Sequence, residues 1–477
     1  MENAMEMLKN GQWKALIYNK KVLFFIGSIL FALLMTFLLS DATFTKVQNY
    51  VLFLLFFAIC LWVTEAIPPF SVSILIVGFL VLIMGRSEAH DAIQYLQTWS
   101  DSVIWLFLGG FFLAEGMKKT QLDLMLMKAV MPKFGQRPVY VLWGLMLLTA
   151  IMSMLMSNTA TTAMMIAAIT PLFTTLDKKS NLGRALLLGI PAAASVGGMG
   201  TIIGSAPNAI AVGALEKMGY PISFLDWMII GMPLAIILLL IFWWILVIKY
   251  KVNKEQPLDL SFLRETQIDN SDPKDRLHRF IVITILVVTL FFWLTSKWLG
   301  IPVAAASGIP IAGLTILGVL EGKDIRQLPW DTLMLVTGGL ALGLAIEEQK
   351  IAAHFVEQIS HIQVSFLGLL ALFGFMTMVL ANFMSHTAAT TILIPMGVSL
   401  LTMVSGSDVN PIILPLVIGL SASCALFLPV STPPNAIAFS TGLIQQSEFR
   451  LGGVVIGLLG PILSIVWVLV IYGILFK

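Results

Sequence analysis

The stretch Met156-Ser157-Asn158-Thr159-Ala160 decides how this chain is read. It joins two apolar runs, residues 139–156 and 160–172, and neither holds a charged residue. Three hydrogen-bonding side chains in succession therefore sit where water is scarce. A polar tripeptide there interrupts a helix and frees backbone N–H and C=O groups, each costing several kcal/mol if left unsatisfied in hydrocarbon. The break has to be buried in protein or line a polar cavity. The pattern returns as Met384-Ser385-His386-Thr387-Ala388, between apolar residues 366–383 and 389–401. One binding site assembled from two halves is the expectation.

Composition agrees. The 477 residues are 58% hydrophobic and 11% charged, against roughly 25% charged in a soluble domain. Mean hydropathy is +0.93. Apolar runs near the spanning length of roughly 20 residues recur from end to end. The fold class read from this is an all-α integral membrane protein. The short alternating segments of a membrane β-barrel are absent from the sequence. Formal net charge is +2, with no basic block suited to nucleic acid. Cys60 and Cys424 fall in predicted helices without CxxC or zinc spacing and read as small core residues. No small-residue cleavage pattern follows the first apolar run, which reads as a retained helix.

Eleven spans are expected, near residues 22–40, 50–67, 71–85, 102–117, from 184, then 224–248, 280–299, 302–320, 332–346, 412–439 and 452–476. Two re-entrant helical hairpins, at about 139–172 and 365–404, are added to them. The fifth span is interrupted at Gly197-Gly198-Met199-Gly200 and Gly204-Ser205-Ala206-Pro207-Asn208, and the tenth at residues 429–435. A hydrophilic stretch, 249–279, carries Lys251, Lys254, Arg264, Lys274 and Arg276 and divides the chain. The organisation expected is an N-terminal segment with the first span (1–48), a first repeat (49–248), a cytoplasmic linker (249–279) and a second repeat (280–477).

Four matches recur in the same order. Gly109-Gly110 pairs with Gly338-Gly339, Ser157-Asn158-Thr159 with Ser385-His386-Thr387, and Pro207-Asn208-Ala209-Ile210 with Pro434-Asn435-Ala436-Ile437, at offsets of 229, 228 and 227. Trp62-Val63-Thr64 and Trp293-Leu294-Thr295 extend the series at 231. Duplication accounts for such a series. Positive residues near span ends mark the cytoplasmic side. With Lys9, Lys14, Lys20 and Lys21 inside and both hairpins re-entrant, Lys118, Lys119, Lys133, Arg137, Lys178, Lys179, Arg184, Lys323, Arg326 and Arg450 also fall inside. Asp41, Lys46, Arg86, Glu216, Lys217, Lys297, Glu347, Glu348, Lys350 and Asp408 fall outside. The N-terminus is then cytoplasmic, the C-terminus outside, and the two halves inverted. Inverted repeats with broken helices and a midplane site mark secondary transporters.

Each break is followed by an arm whose first N–H groups lack intrahelical partners, an end that attracts anions. Two such ends meeting near the midplane suit a ligand with two separated carboxylates. Gly204-Ser205 and Ser431-Thr432-Pro433 offer carbonyls and hydroxyls, which suit a weakly held monovalent cation. Arginine and lysine are missing from the expected site, so bound cations would offset a dianion. Plainer readings exist: a tight turn between two spanning helices at each break, and close packing at the Gly-rich loops. Glu65 and Glu115 read as interfacial, and His90, His278, His354 and His361 as surface residues.

These residues resemble the divalent anion/sodium symporter family. The two Ser-Asn-Thr-type tips, the Trp62-Val63-Thr64-Glu65-Ala66-Ile67-Pro68 stretch and the paired Pro-Asn-Ala-Ile loops carry the resemblance, which covers almost everything after about Tyr50. It implies a homodimer in the plasma membrane, a scaffold and a mobile transport domain in each protomer, and elevator-type alternating access. It implies sodium-coupled uptake of C4 dicarboxylates such as succinate, malate and fumarate. By motif it implies Ser157, Asn158, Thr159, Ser205, Ser385, His386, Thr387, Thr432 and Pro433 at the substrate. It implies Ser153, Ser157, Asn158 and Gly204 at a first Na+, and Ala381, Met384, His386 and Ser431 at a second. His386 departs from the family pattern, which has Asn there. An amide oxygen ligates sodium, whereas a protonated imidazole does not, and neutral imidazole suits softer metals. His386 is therefore open to three roles: charge surrogate for the second sodium, proton-coupling group, or polar substrate contact.

The leading reading is a sodium-coupled dicarboxylate importer. A sodium-independent exchanger, for instance of 2-oxoglutarate against malate, and a citrate or sulfate carrier of the same family are the alternatives. An intramembrane hydrolase with Ser157 or Ser385 as nucleophile suffers from the poor geometry of adjacent Ser385-His386. An anion channel would not need two occluding hairpins. There is no nucleotide-binding P-loop in the sequence.

Overall fold

The computed structural model describes residues 20–40, 43–85, 89–175, 180–252, 258, 273–351, 365–404 and 411–475. Lys9, Lys14, Asp41, Arg86, Lys178, Lys179, Lys254, Arg264, Asp408, His354, His361 and most of the 249–279 linker lie outside the described residues.

The described elements are helical. The first half runs α1 Lys20–Leu39, α2 Lys46–Thr64, α3 Pro69–Met84, α4 Ala89–Gln97, α5 Ser102–Lys119, α6 Leu122–Val130, α7 Pro138–Ser153, α8 Asn158–Thr175, α9 Asn181–Gly197, α10 Ala206–Lys217 and α11 Phe224–Lys249. The second runs α12 Pro273–Leu299, α13 Val303–Ile316, α14 Gly322–Ile325, α15 Trp330–Glu348, α16 Phe366–Ala381, α17 His386–Val404, α18 Ile413–Ala422, α19 Pro433–Ser440 and α20 Arg450–Leu475. Seven helices among the described residues are long and apolar enough to cross a membrane. Shorter apolar helices, among them α7, α16 and α18, stand beside them.

Local chemistry sets the helix ends. Thr45 and Ser223 close capping boxes with Gln48 and Asp226 at the starts of α2 and α11. Proline in the first turn opens α3, α7, α10 and α19, where its missing N–H costs nothing. For that reason the interruptions differ from the sequence expectation. Pro207-Asn208 and Pro433-Pro434-Asn435 already lie in helix, and the second irregular segment begins earlier, at Ser423.

Packing is reciprocal between the halves. α3 lies on α15 while α5 lies on α13; α9 lies on α19 while α10 lies on α18; α8 meets α19 while α17 meets α10. Glycine makes the first pair of contacts possible. A Cβ on Gly109 would stand 2.8 Å from Ser307 Cβ and 3.0 Å from its carbonyl oxygen, and one on Gly338 would collide with Ser73 in the same way. Backbones approach this closely where small residues face each other. Buried Trp293 donates to Ser307 Oγ at 3.2 Å.

Polar pairs mark the two ends of α5, which lie about 27 Å apart along an 18-residue helix. Lys119 at its last turn meets Asp324 of α14 at 2.5 Å. At its first turn Ser102 donates to Glu216 of α10, also at 2.5 Å.

Alanine in place of glycine ordinarily stabilises a helix interior by about 1 kcal/mol. At Gly109 and Gly338 the clash reverses the sign, for overpacking costs about 1–3 kcal/mol. Thermal unfolding in detergent is expected to show a lower Tm for Gly109→Ala and Gly338→Ala. Gly78→Ala, whose Cβ meets nothing within 4 Å, should not lower it.

Candidate functional site

The two polar breaks are hairpin tips. α7 ends at Ser153 and α8 begins at Asn158; α16 ends at Ala381 and α17 begins at His386. Ser157 is the N-cap of its arm, its Oγ accepting from Ala160 N–H at 3.2 Å. Ser385 Oγ likewise accepts from Ala388 N–H at 3.1 Å. The backbone carbonyls of the same serines take the N–H groups of Thr161 and Ala389, each at 3.0 Å. The first N–H groups of each arm have no partner inside the helix, and each capping hydroxyl keeps a proton to donate.

Both tips meet the irregular segments of the other interrupted helices in one cavity of about 250 Å³. Of the site residues expected from sequence, Ser157, Asn158, Thr159, Gly204, Ser205, Ser385, His386, Thr387, Ser431, Thr432 and Pro433 line it. Ser153, Ala381 and Met384 do not line it; all three are buried behind the tips. No arginine or lysine is among the lining residues.

Backbone satisfaction explains the repeated Pro-Asn-Ala-Ile. Asn208 is fully buried and donates through Nδ2 to Gly198 O at 2.8 Å and Thr201 O at 2.7 Å. Asn435 donates to Leu428 O at 3.0 Å and Leu426 O at 3.3 Å. Each asparagine stands just inside a half-helix and reaches back to carbonyls that the break would otherwise strand. Asn382 does comparable work behind the second tip, accepting from Phe427 N–H at 2.9 Å and donating to Met378 O at 2.9 Å. Trp227 Nε1 closes Met199 O at 2.9 Å.

Behind the first tip, one atom of the Asn158 amide lies 3.2 Å from Gly204 O, 3.1 Å from Ala194 O and 2.6 Å from Ser153 Oγ. Two arrangements satisfy this crowd of oxygens. In one, the amide NH2 donates to them. In the other, Oδ1 faces them with a cation among the four. Glycine is required here, because a Cβ on Gly198 would lie 2.6 Å from Asn158 Oδ1 and 2.8 Å from Gly204 O. The equivalent positions of the second half carry different donors. At the repeat offsets, Ala381 stands for Ser153, His386 for Asn158, Ser421 for Ala194 and Ser431 for Gly204, so an amide and one hydroxyl are lost and two other hydroxyls gained. The His386 imidazole meets the Ala425 carbonyl, and Nε2 has no partner among the described residues.

Several participants carried no sequence signal. Ala194 lies in the helix ahead of the Gly-rich run, and Gly198, within that run, marks only a break. Phe107 and Phe111 of α5, and Pro329 and Thr332 at the start of α15, form a wall of the cavity from inside plain apolar spans. The phenyl rings are one turn apart and edge-on, with centroids at 5.6 Å.

The sodium:sulfate symporter transmembrane region, as a family, matches residues 19–476. The chain belongs to that family. It is 33% identical over 457 residues to an uncharacterised transporter of Haemophilus influenzae, covering 92% of this chain and 94% of that one. It is 30% identical over 446 residues to the sodium-dependent dicarboxylate transporter SdcS of Staphylococcus saprophyticus, covering 86% and 83%. The SdcS of Staphylococcus aureus is 30% identical over 457 residues, covering 89% and 85%. This is a multi-pass membrane protein of a transporter family, and not an enzyme.

Asn208→Ala would strand two buried carbonyls at about 1–3 kcal/mol each. The variant is expected to unfold at a markedly lower temperature in detergent than the parent, as read by intrinsic fluorescence.

Proposed function

We propose that this chain is a sodium-coupled secondary transporter that imports C4 dicarboxylates, such as succinate, malate and fumarate, by an elevator mechanism. The observation that carries this is the convergence of two capped helix ends on one cavity with no basic side chain in its lining. Each end offers N–H groups and hydroxyls to one carboxylate. Ser157 and Thr159 serve one, and Ser385 and Thr387 the other, with Ser205, Thr432 and Pro433 alongside. With no fixed cation beside it, the dianion needs mobile ones. The oxygens gathered around Asn158 suit a sodium ion, held by Ser153, Ser157, Asn158 and Gly204. The names of the SdcS relatives support both substrate and ion. Sulfate, a single compact anion, makes less use of two separate ends.

Asymmetric packing supports the elevator. α17 packs along α15, with Thr391 against Gly339 and Pro395 against Gly343. Its counterpart α8 makes no comparable contact with α5. Ala163 and Ala167, which stand for Thr391 and Pro395 in the repeat, are exposed. In the alternate state α8 closes onto Gly110 and Ala114 while α17 leaves α15. α7–α11 and α16–α20 move in this scheme, α2–α5, α12, α13 and α15 stay, and the chain pairs as a homodimer. With the N-terminus cytoplasmic, the Lys119–Asp324 end faces the cytoplasm.

The positions around His386 favour a second reading, exchange without sodium dependence. His386 there replaces an oxygen donor and Ala381 a hydroxyl, which leaves a second Na+ the Ser431 hydroxyl and backbone carbonyls, including that of Met384.

Uptake of labelled succinate into proteoliposomes, with and without an inward sodium gradient, separates the two. Accumulation that requires sodium is expected. Uptake that ignores sodium and appears only after internal loading with dicarboxylate would overturn symport in favour of exchange. His386→Asn should steepen the dependence of uptake on sodium concentration if the imidazole stands in for an ion. An unchanged curve would dismiss that role.

A further inference from the structure

The cavity wall differs from the tips and loops in one respect: it belongs to the helices that stay still in the proposed cycle. Phe107 and Phe111 come from α5, and Pro329 and Thr332 from α15. The repeat relates α5 to α15 at an offset of 229. A site midway between them would be walled by equivalent residues of both, such as Phe107 with Val336 and Phe111 with Leu340. Instead the α15 contribution is shifted to its first turn, beside the Lys119–Asp324 end. Val336 and Leu340 are buried and line no part of this cavity. The substrate site is therefore displaced toward one face, and Thr332 touches it only there.

The Thr332 hydroxyl has no hydrogen-bond partner among the described residues, its backbone N–H going to Pro329 O at 3.1 Å. At the opposite face the repeat puts Val103 in its place. Val103 is buried, 3.5 Å from where a Cβ on Gly213 would stand, and carries no hydroxyl. Ser100 takes the position of Pro329, one turn earlier. The two faces of the protein thus offer chemically different walls to the same moving site.

We propose that Thr332 is a side-specific substrate contact: its hydroxyl binds a carboxylate of the bound dianion when the site faces the Lys119–Asp324 end, and not when it faces the other. This rests on the transport reading above. A hydroxyl bonded to a charged oxygen holds it more firmly than the valine at the equivalent position opposite. Bound substrate is then retained longer on the Thr332 side, with Phe107 and Phe111 packing on the carbon chain between its carboxylates.

The test uses the full chain with Gly339→Cys and Thr391→Cys, in a background of Cys60→Ala and Cys424→Ala. A Cβ on Gly339 stands 3.1 Å from Thr391 Cβ, near the separation of about 3.5–4.5 Å that a disulfide spans. Oxidation locks α17 on α15 and so holds the state described. Succinate binding to the locked protein in sodium is measured by calorimetry. Thr332→Val is expected to weaken binding about tenfold and Thr332→Ser by no more than about twofold, the loss typical of one hydrogen bond to a charged group. In the unlocked protein, Thr332→Val should raise the half-saturating succinate concentration more in everted than in right-side-out vesicles. Unchanged binding in the locked protein, or equal shifts in both vesicle orientations, would overturn the contact. A locked parent that binds no dicarboxylate would overturn the proposed function itself.

Discussion

Backbone polarity in a medium without water is the constraint on which this molecule depends. Four helices stop within the apolar body of the protein, and each stop exposes groups that hydrocarbon cannot satisfy. The chain answers with short side chains at fixed places. Ser157 and Ser385 cap the returning arms, while Asn208 and Asn435 reach back over the irregular segments. The asparagines and serines at the breaks follow from keeping those stops closed, and the cavity is the space that remains among them.

The same constraint explains what was legible in the sequence. A polar triplet between uncharged runs has one economical explanation, so both hairpins were visible, and with them most of the residues that line the cavity. The doubled Pro-Asn-Ala-Ile was visible as a repeat, but its purpose was not. It looked like a loop ending and is in fact the first turn of a half-helix whose asparagine faces backwards. Helix ends slipped by a few residues for that reason, since proline was read as part of the break when it begins the helix. Phe107, Phe111 and Thr332 were invisible because nothing in an apolar span distinguishes a residue facing a cavity from one facing a neighbour.

Duplication gave the two halves a common plan, and the differences between them are the informative part. Ser153 Oγ, Gly204 O and Ala194 O crowd the Asn158 amide, whereas in the second half Ala381 and His386 replace that hydroxyl and that amide, and the imidazole meets the Ala425 carbonyl. Gly109 against Ser307 and Gly338 against Ser73, by contrast, are the same contact made twice. The frame kept its symmetry, whereas the site that works within it lost its own.

The capping serines have one more consequence. Ser157 and Ser385 each close one N–H of the returning arm and hold the tip in shape, while the N–H groups ahead of it stay open toward the cavity. Preorganised sites spend little of their binding energy on ordering themselves. An unloaded carrier of this kind has to keep water on those open groups while the empty pocket makes the return journey. Whether that journey is made without cargo becomes a matter of charge and solvation, and not of folding.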